Sequence, residues 1–183
     1  MFKKLGTHDL TISEEDYGDK VDSYTKDFDG VERGSHYYEF ADQDYEKAFI
    51  ERFLPEELVG FFDAKIMVLD YPNIPPHVDN GSKVTINMYV ETAGATTTFY
   101  SDDPKSADIA ERLENQSDGG ALFDASTLNV DSSFVAEKGD VYLLDISKIH
   151  SVDFADTEAK RVVIVIQSSS LSYDDVKDAA FNF

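Results

Sequence analysis

His77 and Asp79 stand two residues apart in Pro75-Pro76-His77-Val78-Asp79, just ahead of a strand-like run. His150 follows another such run, Gly139-Asp140-Val141-Tyr142-Leu143-Leu144-Asp145. Side chains two apart on a strand project to the same face, so His77 and Asp79 can aim at one ion while Val78 turns away. Pro75 and Pro76 hold the approach extended and cannot donate to a neighbouring strand, which suits a barrel rim. Two neutral imidazoles and one carboxylate converging on a point make a facial ligand set for non-haem Fe(II), with positions left open for reactants. Arg161, eleven residues beyond His150, opens the run Val162 to Gln167. Its guanidinium can hold a carboxylate-bearing reactant by two parallel hydrogen bonds.

The His-x-Asp spacing carries little weight alone. The chain has 24 aspartates among 183 residues, so a given histidine has about a one-in-eight chance of an aspartate two positions on. Taken singly, His150 also reads as a histidine hydrogen-bonded at a turn, and Arg161 as a strand arginine paired with one of many surface carboxylates. The information lies in the ensemble: a strand context, a remote histidine where another strand starts, and an arginine beyond it.

The elements that must position these residues are mostly strands. Runs with period-two patterning occur at 65–71, 84–92, 96–100, 121–125, 133–136, 141–145, 151–154 and 162–167. Turn residues separate them, among them Pro72-Asn73, Asn80-Gly81, Gly119-Gly120 and Lys138-Gly139. Many short strands with few helices predict a mainly β sandwich or barrel. Ahead of them, Asp42 predicts the cap of a helix running to Phe53, with Tyr45, Phe49, Ile50 and Phe53 on one face. Pro55, followed by Glu56 and Glu57, predicts the first turn of a second helix. Residues 1–35, rich in Asp and Tyr and broken by Gly6, Gly18, Gly30 and Gly34, predict irregular structure or short edge strands. Within the insertion 102–118, Ala107 to Leu113 reads as helical; the insertion either covers a site or connects strands over the surface. Ser172 predicts the cap of a last short helix, 172–181. No repeat, low-complexity tract or linker is visible, and 183 residues suit a single domain with its β core at about 64–168.

Composition bounds the partners. The formal charge of −21 repels nucleic-acid phosphate and anionic membrane, which argues against both as partners. It suits a heavily solvated surface, or alternatively a field that attracts cationic substrates. The absence of cysteine excludes disulfides and thiolate metal sites and favours an intracellular, cytoplasmic setting. Met1-Phe2-Lys3-Lys4 has no apolar stretch behind it, so no signal peptide is read, and the longest aliphatic run, Val162 to Ile166, is far short of a membrane span.

The segments HVDNGSKVTINMYVETAGATTTFY, GDVYLLDISKIHSVDF and RVVIVIQ resemble the 2-oxoglutarate- and Fe(II)-dependent oxygenases, in particular small prolyl-hydroxylase-like members of marine bacteria and their phages. The resemblance covers roughly residues 64–168. It implies a double-stranded β-helix (jelly-roll, cupin-like) with a few flanking helices, the segment 42–62 packing outside the larger sheet. It implies Fe(II) on His77, Asp79 and His150 as the catalytic and metal-binding set, with 2-oxoglutarate and O2 as co-substrates and Arg161 holding the far carboxylate of the oxo acid. Many members add a tyrosine or asparagine to that carboxylate's partners, and Tyr71, Asn87 and Tyr89 are the candidates here; ordinary packing is the competing reading for each.

The implied activity is hydroxylation of a prolyl or other amino-acid residue, in a peptidyl or small-molecule substrate. Neither the 102–120 insertion nor the first 40 residues matches a substrate-binding element of the family, so no substrate carries over, and the oligomeric state is left open. Two alternatives remain: a cupin-like metalloprotein that uses no 2-oxoglutarate, and a non-catalytic jelly-roll acting as a binding or virion component. Arg161 argues against the first, because a purely metal-centred site needs no carboxylate clamp.

Overall fold

Residues 84–90 and 161–166 are buried almost throughout, because the strands that contain them pack on both faces. These strands lie at the centre of the larger of two antiparallel sheets in the computed structural model. The structure describes residues 1–28, 31–70, 73–79, 81–112, 121–154 and 160–183, with side chains throughout except at 24, 26–28, 31–32 and 111–112.

Thirteen strands are described. β1 (Phe2–Thr7), β2 (Tyr17–Phe28) and β3 (Val31–Phe40) precede helix α1 (Gln43–Phe53). β4 (Asp63–Leu69), β5 (Asn73–Val78), β6 (Val84–Glu91) and β7 (Thr96–Tyr100) follow, then β8 (Ile109–Arg112) within the insertion and β9 (Ala121–Phe123) just after it. β10 (Val130–Val135), β11 (Asp140–Leu144), β12 (His150–Asp153), β13 (Arg161–Ser168) and a short helix α2 (Tyr173–Val176) complete the chain. The large sheet has the order β1-β11-β6-β13-β4-β3-β2, and the small sheet β10-β7-β12-β5-β9-β8. From β4 to β7, and again from β11 to β13, successive strands alternate between the sheets. The chain is a double-stranded β-helix.

Side-chain alternation divides the large sheet into two unlike faces. Its outer face carries Ile66, Val84, Ile86, Met88, Ile164 and Ile166, packed under Phe49, Ile50 and Phe53 of α1. Its inner face presents Met67, Leu69, Tyr89, Val163 and Val165 to the small sheet, from which Phe99 reaches across. Asp42 caps α1, its Oδ1 accepting from the backbone N–H groups of Asp44 and Tyr45 at 3.0 and 3.2 Å. Segment 42–62 thus lies outside the larger sheet, as the resemblance implied. Among the described residues, no helix is long and apolar enough to cross a membrane.

Four expectations change. The predicted second helix at Pro55 is a turn followed by a 3-10 turn, Val59–Phe61. The residue before a proline avoids the helical region, and Leu54 is extended at ψ 146°. Only i→i+3 bonds follow, Leu58 to Pro55 and Phe61 to Leu58. The predicted helix at 107–113 is instead β8, because Ile109, Glu111 and Arg112 find partners in β9 and tertiary pairing overrides local propensity; Leu113 lies outside the described residues.

Residues 1–35 hold β1 and most of the β2–β3 hairpin. Gly6 falls where the β1 register shifts, and a Cβ at Gly18 would sit 2.9 Å from the Phe40 carbonyl oxygen, so these glycines permit close approach within strands. The last helix is confined to Tyr173–Val176, because the chain then turns to stack Phe183 on Phe53, with ring centroids 5.1 Å apart, and to bond Asn182 N–H to the Phe53 carbonyl.

Candidate metal centre

Strand pairing brings the two histidines together. β5 and β12 are antiparallel neighbours with His77 directly opposite His150, and directly opposed residues project to the same face. Their ring centroids lie 4.3 Å apart. On the other side of β12, His150 faces Phe99 of β7, and those rings stack at 5.6 Å. Phe99 is fully buried, so the His150 ring is held between two flat neighbours. The prolines lie within a strand flanked on both sides rather than at a free rim. A register shift in β12 between His150 and Val152, and the limitation of β9 pairing to His77 and Val78, leave their missing N–H groups unneeded.

Both imidazoles are oriented alike. His77 Nδ1 lies 2.9 Å from the Pro75 carbonyl oxygen, and His150 Nδ1 lies 3.0 Å from that of Lys148. A carbonyl can only accept, so each Nδ1 carries the proton and each neutral ring keeps its lone pair on Nε2. Burial, then the nearby His77, lower His150 to about 4 against the opposing effect of Asp79, so the ring is neutral at physiological pH.

Asp79 sits just past β5, its backbone N–H bonded to the Ile146 carbonyl at 3.3 Å. Oδ1 is 3.6 Å from His77 Nε2 and Oδ2 is 3.6 Å from His150 Nε2. These separations exceed a hydrogen bond, yet they match ligands about 2.1 Å from a shared ion, which stand roughly 3.0–3.6 Å apart. One donor atom from each of the three residues lies within 4.8 Å of the others. Two imidazole nitrogens and a carboxylate, without sulfur, suit a divalent first-row metal with open positions.

Arg161 enters the same cavity from the opposite sheet, at the start of β13. It is only 3% exposed. Nη2 donates to the Tyr89 hydroxyl at 2.8 Å and to Thr97 Oγ1 at 3.4 Å, and the guanidinium carbon lies 4.7 Å from the centre of the Tyr89 ring. Nε and Nη1 are buried without a partner, and among the described residues no carboxylate pairs with the guanidinium. A buried charge left this way is costly, and an anion in the cavity would complete its hydrogen bonding.

The other candidates separate. Asn87 is buried and lines the cavity with Thr85, whose hydroxyl donates to Asn87 Oδ1 at 3.0 Å. Tyr89 braces Arg161 through its hydroxyl and ring face. Tyr71 lies outside the described residues. The cavity measures about 440 Å³, within the range for small-molecule sites. Leu122 of β9 lines it as well, so the strand that follows the insertion covers the flank of the His77 strand.

Sequence reasoning missed Tyr37, which lines the cavity from β3. Burial, then the Asp79 and Asp22 carboxylates, push its phenol well above the usual tyrosine range, against the opposing effect of Arg161. No local signal separates it from Tyr38: only the strand pairing turns Tyr37 to the core between the sheets and Tyr38 to the core under α1.

No family model matches the chain, and no curated protein matches it. Solved structures of similar shape include an oxalate decarboxylase at 9% identity and TM-score 0.43, covering 84% of this chain and 28% of that one. A second oxalate decarboxylase structure, from Bacillus subtilis, aligns at 10% identity and TM-score 0.41, covering 82% of this chain and 27% of its own. The non-heme alpha ketoglutarate dependent epimerase SnoN from nogalamycin biosynthesis aligns at 11% identity and TM-score 0.49, covering 81% of this chain and 66% of SnoN. The chain therefore spans little more than a quarter of the oxalate decarboxylases. The site is read from its own geometry.

Proposed function

We propose that this protein is an Fe(II)- and 2-oxoglutarate-dependent dioxygenase that hydroxylates a C–H bond, in a prolyl or other amino-acid residue of a peptidyl or small-molecule substrate. One observation carries the 2-oxoglutarate part of this reading: the buried guanidinium of Arg161, with Nε and Nη1 unpartnered among the described residues, shares a cavity with His77, Asp79 and His150. A metal site whose reactants carry no anionic group has no use for that arrangement.

His77, Asp79 and His150 would hold the metal, the imidazoles through Nε2 because their Nδ1 protons are committed to backbone carbonyls. Bound Fe(II) supplies the coupling of 2-oxoglutarate, O2 and substrate R–H to succinate, carbon dioxide and R–OH. Arg161 would pair with the far carboxylate of the oxo acid, and its contacts with Tyr89 and Thr97 fix the direction of approach. Phe99 stacks on the His150 ring, and Leu122, Leu144 and Val165 give the cavity apolar walls.

The test is anaerobic titration of Fe(II)-loaded protein with 2-oxoglutarate, following the metal-to-ligand charge-transfer absorption. A saturable band in the parent protein, lost in Arg161→Gln, is the expected result. Metal binding without such a band would replace this reading with that of a metalloprotein that does not use 2-oxoglutarate.

A further inference from the structure

β1 lies at an edge of the large sheet, outside the resemblance to the oxygenases, and pairs with β11. Register sets Phe2 opposite Leu144, and its ring packs against the core between the sheets. The Phe2 centroid lies 5.8 Å from that of Phe99, 4.5 Å from that of Phe134 and 6.0 Å from that of Tyr142. Phe99 in turn stacks on His150 at 5.6 Å. One fully buried ring is thus shared between Phe2 and a candidate metal ligand.

A second route joins the same strand region to the same imidazole. The Met1 carbonyl accepts from Asp145 N–H at 2.9 Å, and the Asp145 carbonyl accepts from Lys148 N–H at 3.3 Å. The Lys148 carbonyl then accepts from His150 Nδ1 at 3.0 Å. The ring route ends on the face of the imidazole and the backbone route on its Nδ1. A ligand imidazole needs both its place and its rotation set, because Nε2 must point at the ion.

We infer that Phe2 is a positioning residue for the metal centre, its ring holding Phe99 against His150 so that Nε2 stays aimed at the ion. The inference rests on the reading of His77, Asp79 and His150 as metal ligands. Interiors are packed densely enough for a lost ring to be felt by its neighbours, so removing Phe2 leaves Phe99 space to settle away from His150. β1, which supplies no ligand, thereby has a part in the site.

Phe2→Ala tests this by titration with Co(II), whose visible absorption when bound reports ligand geometry, beside the thermal midpoint. Co(II) binding is expected to weaken by about tenfold, with shifted absorption bands. Ile164→Ala, on the outer face under α1, is the control: it lowers the midpoint and keeps the parent's affinity and bands. Should Phe2→Ala fail to fold, Phe2→Leu, which keeps apolar bulk and loses the flat ring, is read in the same way. Parent-like affinity and bands in the Phe2 variant, with binding lost in His150→Ala, overturn the role of Phe2 and leave the metal centre standing. Equal changes in Ile164→Ala overturn it too, since general loosening then accounts for them. Absence of Co(II) binding in the parent protein, or parent-like binding in His150→Ala, overturns the metal centre and the Phe2 inference with it.

Discussion

The two faces of the large sheet are made from the same strands and do opposite work. On β6, Val84, Ile86, Met88 and Val90 turn outward under α1, while Thr85, Asn87 and Tyr89 turn inward. On β13, Val162, Ile164 and Ile166 turn outward, while Arg161, Val163, Val165 and Gln167 turn inward. The outer face is apolar and closed by helix α1. The inner face is interrupted by a cavity and carries a buried, unpaired cation. Apolar packing is concentrated on one side of the sheet and the candidate site on the other, at a separation of one residue.

That contrast can be broken or sharpened by substitution. Ile164→Ala on the outer face should lower the unfolding free energy by about 2–5 kcal/mol while leaving metal stoichiometry intact, as read by urea denaturation and calorimetric titration. Equal losses of stability and metal binding would show that the faces are not separable. His77→Ala on the small sheet should weaken metal binding by more than about 100-fold, roughly 3 kcal/mol, with a thermal midpoint close to the parent's. Parent-like metal affinity would remove His77 from the ligand set.

Arg161→Met should leave the unfolding free energy within about 1 kcal/mol of the parent, because removing a buried unpaired charge offsets the lost bonds to Tyr89 and Thr97. It should at the same time abolish 2-oxoglutarate binding. A large loss of stability would make the arginine a structural element instead. The smallest effect is expected at Asp42→Ala, about 1 kcal/mol of stability through loss of the α1 cap, with site properties unchanged.

Legibility followed the same division. β6 was visible through its alternation of aliphatic and polar residues, and β13 through a short continuous apolar run, as a strand buried on both faces gives. The α1 cap was visible because a carboxylate ahead of an amphipathic run meets the free N–H groups of a first turn. β2 and β3 were not, because Asp, Tyr, Lys and Gly give a weak strand pattern and their order comes from pairing with each other and with β4. β8 was hidden for the same reason, its partner β9 lying beyond the end of the expected helix. Tyr37 went unnoticed because nothing local distinguishes it from its neighbour Tyr38; they differ only in the face to which they turn.

Residue chemistry and spacing alone determined that His77, Asp79, His150 and Arg161 were the groups to watch, since an ion needs donors and a carboxylate needs a cation. Only the tertiary structure decided that they meet. His77 and His150 are 73 positions apart in the chain and become opposed only when β5 pairs with β12. Arg161 faces them from another sheet. The tertiary structure also left that arginine without a carboxylate partner among the described residues, in a chain of 37 acidic residues. Local sequence sets what a side chain can bind; long-range strand pairing sets what it is given.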